Sequence, residues 1–353
     1  MEFIASSTQT EATYDWFTAR IVKLMRERHV GFAEAARTVA RDNLTGHGER
    51  ATRSADLRPL DPLAEPPLRR AIAFSVAHYG GREHDLPKVA SNLGPRGMAT
   101  RALKSDYGAA NTAVLRDPTA AQMAAVIQQA IAEVGRAAAA AGRPGELLLF
   151  FDGHGNHTGM EGSDGEMFTL EQLQSLDEAA VAAGVHLIVI SNECMQGAGV
   201  LLAEQIGNRT LSERVDAAGL PAESAQELHA TLDQLQLLIE FAQFLTPTLR
   251  DLGELANGEA GEHTPAEDVR ELRDHMELLD SFDHFVDHGF AAASPELNER
   301  IQAVWKQLST IDPGNHDQLV ALVRDLDYVS DELTEEVARL QWLVQTQLDL
   351  SAM

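Results

Sequence analysis

The sequence holds a single cysteine, Cys194, in 353 residues. An internal disulfide and a cysteine-built zinc site are excluded, and a lone thiol fits a reducing compartment. Basic residues are also short. Lys and Arg number 28 against 54 Asp and Glu, a formal net charge of −26. Like-charge repulsion disfavours non-specific binding to nucleic acid or to an anionic membrane, while a basic partner or substrate is compatible. No apolar run approaches the ~18 residues that cross a bilayer. Met1 to Thr13 is polar, carries Glu2 and Glu11, and lacks the basic and apolar regions of a secretory signal. A cytoplasmic protein is expected, with delivery into a host or target cell by a non-Sec route as the alternative suggested by the Ser/Thr-rich start. No repeat and no low-complexity tract is visible. What is present is an ordinary globular share of apolar residues, 44%, enough for a sizeable core in a chain long enough for two domains.

Three regions follow from the patterning. Residues 1–69 read as an N-terminal helical segment and linker. Trp16, Ile21, Leu24 and Met25 have helical spacing, Phe32 to Val39 is Ala-rich, and Pro59, Pro62, Pro66 and Pro67 mark the linker. Residues 70–215 alternate between strand and helix. Ala71–Ala77, Thr112–Leu115, Leu147–Phe151 and His186–Ile190 read as strands, the last two as continuous apolar runs of the kind buried in parallel sheets. Helical stretches between them predict an α/β fold, a mostly parallel sheet flanked by helices with right-handed crossovers. Residues 216–353 lose the strand signal. Apolar positions there have helical period, from Leu228 to Phe244, from Ile301 to Leu308 and from Leu319 to Leu348. Thr264–Pro265–Ala266–Glu267 is a helix start with its capping box. An all-α bundle of four antiparallel helices is expected, with acidic faces outward.

Two of the buried strands lead into reactive residues. Leu147–Phe151 runs into Asp152–Gly153–His154–Gly155, and His186–Ile190 into Ser191–Asn192–Glu193–Cys194–Met195–Gln196–Gly197. In open α/β sheets, active sites lie beyond the carboxyl ends of the strands. Parallel neighbours ~4.8 Å apart would bring an imidazole and a thiol within reach of each other. A nearby histidine, and a helix beginning after the cysteine, both favour the thiolate. The amides of Gly155 and Cys194 are the natural oxyanion donors. His157 is a competing base, less directly fixed by the strand. His78 and Tyr79, at the end of the first strand, are placed to line the same cleft or to pack behind it, and packing behind it is expected. The bland alternatives are a buried structural thiol for Cys194 and a loop histidine for His154.

The strand–Gly–His–Gly segment, followed about forty residues later by strand–x–x–Cys–x–x–Gly, resembles the caspase/metacaspase superfamily of cysteine peptidases. The likeness covers roughly residues 70 to 205. It includes the first strand ending in Tyr79, Leu86–Pro87 before a helix, the short strand at Val114–Leu115, Asp117–Pro118–Thr119 before a long helix, and Asp164–Gly165 followed by Phe168–Thr169–Leu170. The resemblance implies a caspase-like fold with His154 as general base and acid, Cys194 as nucleophile, and Gly155 with Cys194 as oxyanion hole. It brings Asn192 and Arg82 to the substrate pocket. Asn192 stands where members with basic P1 preference carry aspartate, and Arg82 loosely imitates the arginine of acidic-preference caspases, so the P1 preference stays open. One departure is larger. The family has two more strands after the cysteine, whereas Gly199 to Ile206 reads helical here. Either the sheet stops at the cysteine strand, or later strands lie hidden before Leu220.

The function expected is therefore a cysteine endopeptidase acting on a protein or peptide through a thioester acyl-enzyme, without a cofactor. The alternative is a degenerate caspase-like scaffold whose acidic helical C-terminal domain binds a protein partner. Asp280, His284, Asp287 and His288 invite a third reading as metal ligands, since His284 and His288 share a helix face. No matching motif supplies further ligands, so a solvated His/Asp face is expected and no metal is assigned.

Overall fold

The computed structural model describes residues 1–5, 16–41, 52–54, 67–79, 97–156, 158–192, 197–256, 266, 269–270, 295–312 and 314–352. The Asp280–His288 cluster and most of the helix expected from Thr264 lie outside these residues. The chain divides into two compact units, Met1–Gly207 and Asn208–Met353.

The first unit is an α/β domain around a mixed sheet. In chain order its elements are β1 (Glu2–Ala5), α1 (Trp16–Arg28), α2 (Phe32–Arg41), β2 (Thr52–Arg53) and β3 (Leu68–Ser75). Then come α3 (Met98–Tyr107), β4 (Thr112–Arg116), α4 (Ala120–Ala141) and β5 (Gly145–Asp152). A small antiparallel sheet of β6 (Gly155–Asn156), β7 (Gly159–Glu161) and β8 (Met167–Thr169) precedes α5 (Leu170–Ala182) and β9 (Val185–Asn192), and α6 (Gly197–Ala217) leaves the domain. The main sheet has the order β2-β1-β9-β5-β3-β4. Every neighbouring pair is parallel except β1 with β2. This is the mostly parallel α/β sheet that the strand–helix alternation predicts.

Both faces of the sheet are covered, and alternate residues of each strand serve opposite layers. Ile72, Phe74, Leu147, Leu149, Phe151, Leu187 and Val189 pack with α4, α5 and α6. Ala71, Ala73, Leu148, Phe150, Ile188 and Ile190 pack with α1, α2 and α3. Two helices are fixed at their starts by the same device. Thr119 accepts from the Gln122 amide while the Gln122 side chain accepts from the Thr119 amide, and Thr169 with Gln172 repeats it.

The sheet does not end at the strand that leads to the cysteine. β1 lies parallel beside β9, with Phe3 opposite Val189 and Ala5 opposite Ser191, and β2 closes the edge antiparallel to β1. Residues before 70 thus supply strands as well as α1 and α2, which corrects the expectation of a purely helical segment and linker. The carboxylate of Glu2, fully buried, accepts two hydrogen bonds of 2.7 Å from Arg37 on α2. Phe3 lies under the start of α6, where a Cβ on Gly199 would come within 2.3 Å of the ring.

The second unit is helical among its described residues. It contains the end of α6, α7 (Ala222–Ala256), α8 (Pro295–Thr310) and α9 (His316–Ala352). Leu235, Leu238, Ile239, Leu308, Leu322, Leu326, Leu333 and Val337 are buried. No helix among the described residues is long and apolar enough to cross a membrane.

Candidate active site

The sheet's two ends differ in chemistry. At the amino ends of β3 and β5, Arg69 donates to Asp106 and Glu146 and covers the Tyr107 ring at 4.0 Å, a closed cluster of paired charges. At the carboxyl ends the helices diverge. The chain leaves β3 for α3 on one face and β5 for α5 on the other. Adjacent strands whose connections depart to opposite faces leave a crevice between them, the usual ligand position of such sheets.

His154 lies at this end of the sheet. It follows β5 by two residues, is half-buried, and is held by its backbone on both sides. Its amide donates to the Tyr79 hydroxyl at 2.6 Å, and its carbonyl accepts from the Glu161 amide of β7 at 2.9 Å. The Tyr79 and His154 rings lie 4.8 Å apart, tilted by 50°. Tyr79 is itself buried, and its hydroxyl donates to the Val76 carbonyl at 2.9 Å. Gly153 makes this approach possible, because a Cβ there would stand 2.8 Å from the Tyr79 hydroxyl.

The loop that carries Tyr79 is held from β4. Asp117, in the left-handed region at φ 44°, turns its carboxylate back onto that loop. Oδ1 accepts from the amides of Ala77 at 2.8 Å and His78 at 3.0 Å, and Oδ2 lies 3.1 Å from the His78 ring. Burial works to raise the Asp117 carboxyl, but the Ala77 amide and the His78 ring and amide outweigh it and hold the group below the usual carboxylate range. His78 is exposed, and Tyr79 packs behind His154, as expected of it.

On the other side of His154, β5 and β9 run in register with Asp152 opposite Asn192. Both side chains are buried, and the Asn192 amide donates to Asp152 Oδ1 at 2.9 Å. Asn192, which the resemblance brings to the substrate pocket, thus bridges the ends of the two strands. Gly155 is half-buried in β6, opposite Met160 of β7. Cys194, Arg82 and His157 lie outside the described residues. Cys194 follows Asn192 by two residues, a tether of at most about 7 Å.

Reading the sequence alone missed what Asp117 and Asp152 do. Asp117–Pro118–Thr119 reads as a helix start, and Thr119 is indeed the cap. A second acceptor directly before the proline was the available sign that Asp117 caps something else. The Asp152–Asn192 bridge needs the strand register, which no local pattern supplies. Among the described residues no cluster of three or more His, Cys, Asp or Glu side chains is arranged to hold a metal ion. No family model matches the chain, and no curated protein matches it. The chemistry of the site has to be read from its own residues.

Proposed function

We propose that the chain is a caspase-like cysteine endopeptidase with His154 and Cys194 as its catalytic pair. The observation that carries this reading is the register of β5 and β9, which sets Asp152 opposite Asn192 and joins them by a hydrogen bond. His154 and Cys194 each follow this pair by two residues, from neighbouring parallel strands. The strand order agrees with it. In the family, two strands after the cysteine extend the sheet, and here β1 and β2 occupy the edge beyond β9. Of the two alternatives open from the sequence, a sheet ending at the cysteine strand or later strands hidden before Leu220, neither describes this edge, which strands from the start of the chain fill.

In this reading His154 takes the Cys194 proton, and the thiolate attacks the scissile carbonyl while the amides of Gly155 and Cys194 hold the oxyanion. The imidazolium returns the proton to the leaving amine, leaving a thioester. Water, deprotonated by the same imidazole, hydrolyses the thioester and restores the thiol. The reaction needs a reduced thiol, so an intracellular, reducing setting belongs to the proposal. The helical unit, in a chain of net charge −26, would recruit a basic protein.

The test uses peptidyl acyloxymethyl ketones with Arg or with Asp at P1. The reading expects an adduct on Cys194 with one of them, lost in His154→Ala. No adduct from either probe, with Cys194→Ala as active biologically as the parent protein, overturns it.

A further inference from the structure

We infer that Tyr79 is a positioning residue for His154, and that Asp117 supports it from the next strand. The inference rests on the peptidase reading above and gives Tyr79, expected only to pack behind the cleft, and Asp117, read only as part of a helix start, a part in holding the histidine. A histidine that shuttles a proton must keep its ring within a fraction of an ångström of its partner, and it stands here on a loop, beyond the end of β5. Loops alone hold side chains loosely, so something must fix it.

The fixing is done by a short chain of hydrogen bonds. The Tyr79 hydroxyl has one proton, which goes to the Val76 carbonyl at 2.9 Å, and it then accepts the His154 amide at 2.6 Å. Both of its strong bonding directions are used by the backbones of two adjacent strand ends. Val76 is in turn bound to β5, its amide donating to the Asp152 carbonyl at 3.1 Å. Tyr79, Val76 and Asp152 therefore close a ring of contacts around His154, and the Tyr79 ring packs against the imidazole. Asp117 holds the other end. By accepting from the Ala77 and His78 amides it fixes the loop just before Tyr79, and its own amide donates to the Ser75 carbonyl at 2.7 Å. A non-glycine residue at φ 44° is uncommon, and Asp is among the few that adopt it readily.

The rate of Cys194 alkylation by iodoacetamide tests this without a known substrate, because Cys194 is the only thiol. The thiolate is the reacting species, so below the ordinary thiol pKa the rate depends on His154, while near pH 9.5 it does not. At pH 6, Tyr79→Phe is expected to slow alkylation by about 10-fold, against a limit set by His154→Ala, with Asp117→Ala in between and near-parent rates for all at pH 9.5. A purely structural loss would change the rate by a similar factor at both pH values, and that result would also overturn the inference. Gly153→Ala is a second variant, which keeps Tyr79 but pushes its hydroxyl away, and it should follow Tyr79→Phe. Hydrogen exchange of the His154 amide should quicken by at least ~10-fold in both. If His154→Ala slows alkylation at pH 6 and Tyr79→Phe does not, the positioning inference alone is overturned. If His154→Ala has no effect at pH 6, the peptidase reading falls and the inference falls with it.

Discussion

The α/β unit and the helical unit bury their polar groups in different places. In the first, those on strands sit at strand ends, Ser75, Asp152, Ser191 and Asn192 at carboxyl ends and Glu2 and Glu146 at amino ends, while Thr18, Thr38, Thr100, Asp177 and Glu204 are buried on helices. Strand interiors there are covered on both faces by apolar helix surfaces, so on the strands only the ends have room for polar side chains. In the second unit, Ser330, Thr334, Glu336, Gln341, Gln345 and Asp349 are buried along one helix, α9. Arg214 reaches Gln345, and donates to Asp349 at 2.8 Å. From Ser330 to Asp349 the helix rises by roughly 28 Å. Polar groups at strand ends converge on one place and can act together. Groups spread along a helix do not converge, and are better suited to fixing which helix faces pair.

The largest test of this contrast is a pair of core truncations. Phe151 stacks on Phe74 at 4.8 Å and on Phe168 at 5.9 Å, so it joins the main sheet to the small one beneath the site. Phe151→Ala should cost about 4 kcal/mol, and Leu333→Ala in the helical unit about 3 kcal/mol. Hydrogen exchange read segment by segment should show each loss in its own unit. Equal loss of protection in both units after either substitution would mean that they unfold as one, and the comparison would collapse.

Next in size is the ion pair that ties β1 to α2. Arg37→Met leaves the fully buried carboxylate of Glu2 without its guanidinium, and such removal costs about 3 kcal/mol. Urea denaturation of the full chain, with exchange of the β1 amides, measures it. A loss under about 1 kcal/mol would show that β1 is held by its pairing with β9 and not by Arg37.

That strand marks the limit of what the sequence made legible. β3, β4, β5 and β9 could be read because each is a largely apolar run punctuated by a turn or followed by a helix. Their sequence also showed that His154 and the cysteine leave the last two of them. β1 is a four-residue strand, too short to display a period. Its partner β9 is far away in the chain, and nothing local announces a strand that enters the sheet from the far side of two helices. The same holds for the site. A histidine flanked by glycines is visible as a motif, whereas the Tyr79 hydroxyl under its amide and the Asp152–Asn192 bridge exist only once strands from distant segments lie side by side. Asn192 shows what register adds to motif position. Its place beside the cysteine suggested the pocket, and its buried hydrogen bond to Asp152 adds a bridging role that the motif does not display.

A smaller effect separates the two units by pH. Asp117 is held below the usual carboxylate range in the folded protein, so its contribution is fully present above the unfolded value of about 4 and is lost as pH falls through the lower folded value. Asp117→Asn keeps one acceptor oxygen and removes the charge. It should cost less than about 1 kcal/mol at pH 7, because solvent screens a carboxylate this exposed, with the difference from the parent shrinking below about pH 4. Thermal unfolding of both proteins from pH 7 to pH 2.5 gives the curve. A difference that does not change with pH would mean the carboxylate's charge plays no part in holding the loop.

A last effect has the opposite sign, and it distinguishes a buried polar group that is used from one that is only tolerated. Ser330 is buried on α9 with no hydrogen-bond partner for its hydroxyl among the described residues. One turn later Thr334, also buried, donates its hydroxyl to the Ser330 carbonyl at 3.0 Å. Removing the first hydroxyl relieves an uncompensated desolvation, and alanine is also the better helix former, so Ser330→Ala should stabilise the helical unit by about 1 kcal/mol. Thr334→Val removes a satisfied hydroxyl and adds β-branched strain of no different kind, so it should destabilise by about 1 kcal/mol. Both are read from the helical unit's urea transition. If Ser330→Ala destabilises as much as Thr334→Val, the Ser330 hydroxyl has a partner that matters, and the polar line along α9 is a connected network like the strand-end cluster of the α/β unit.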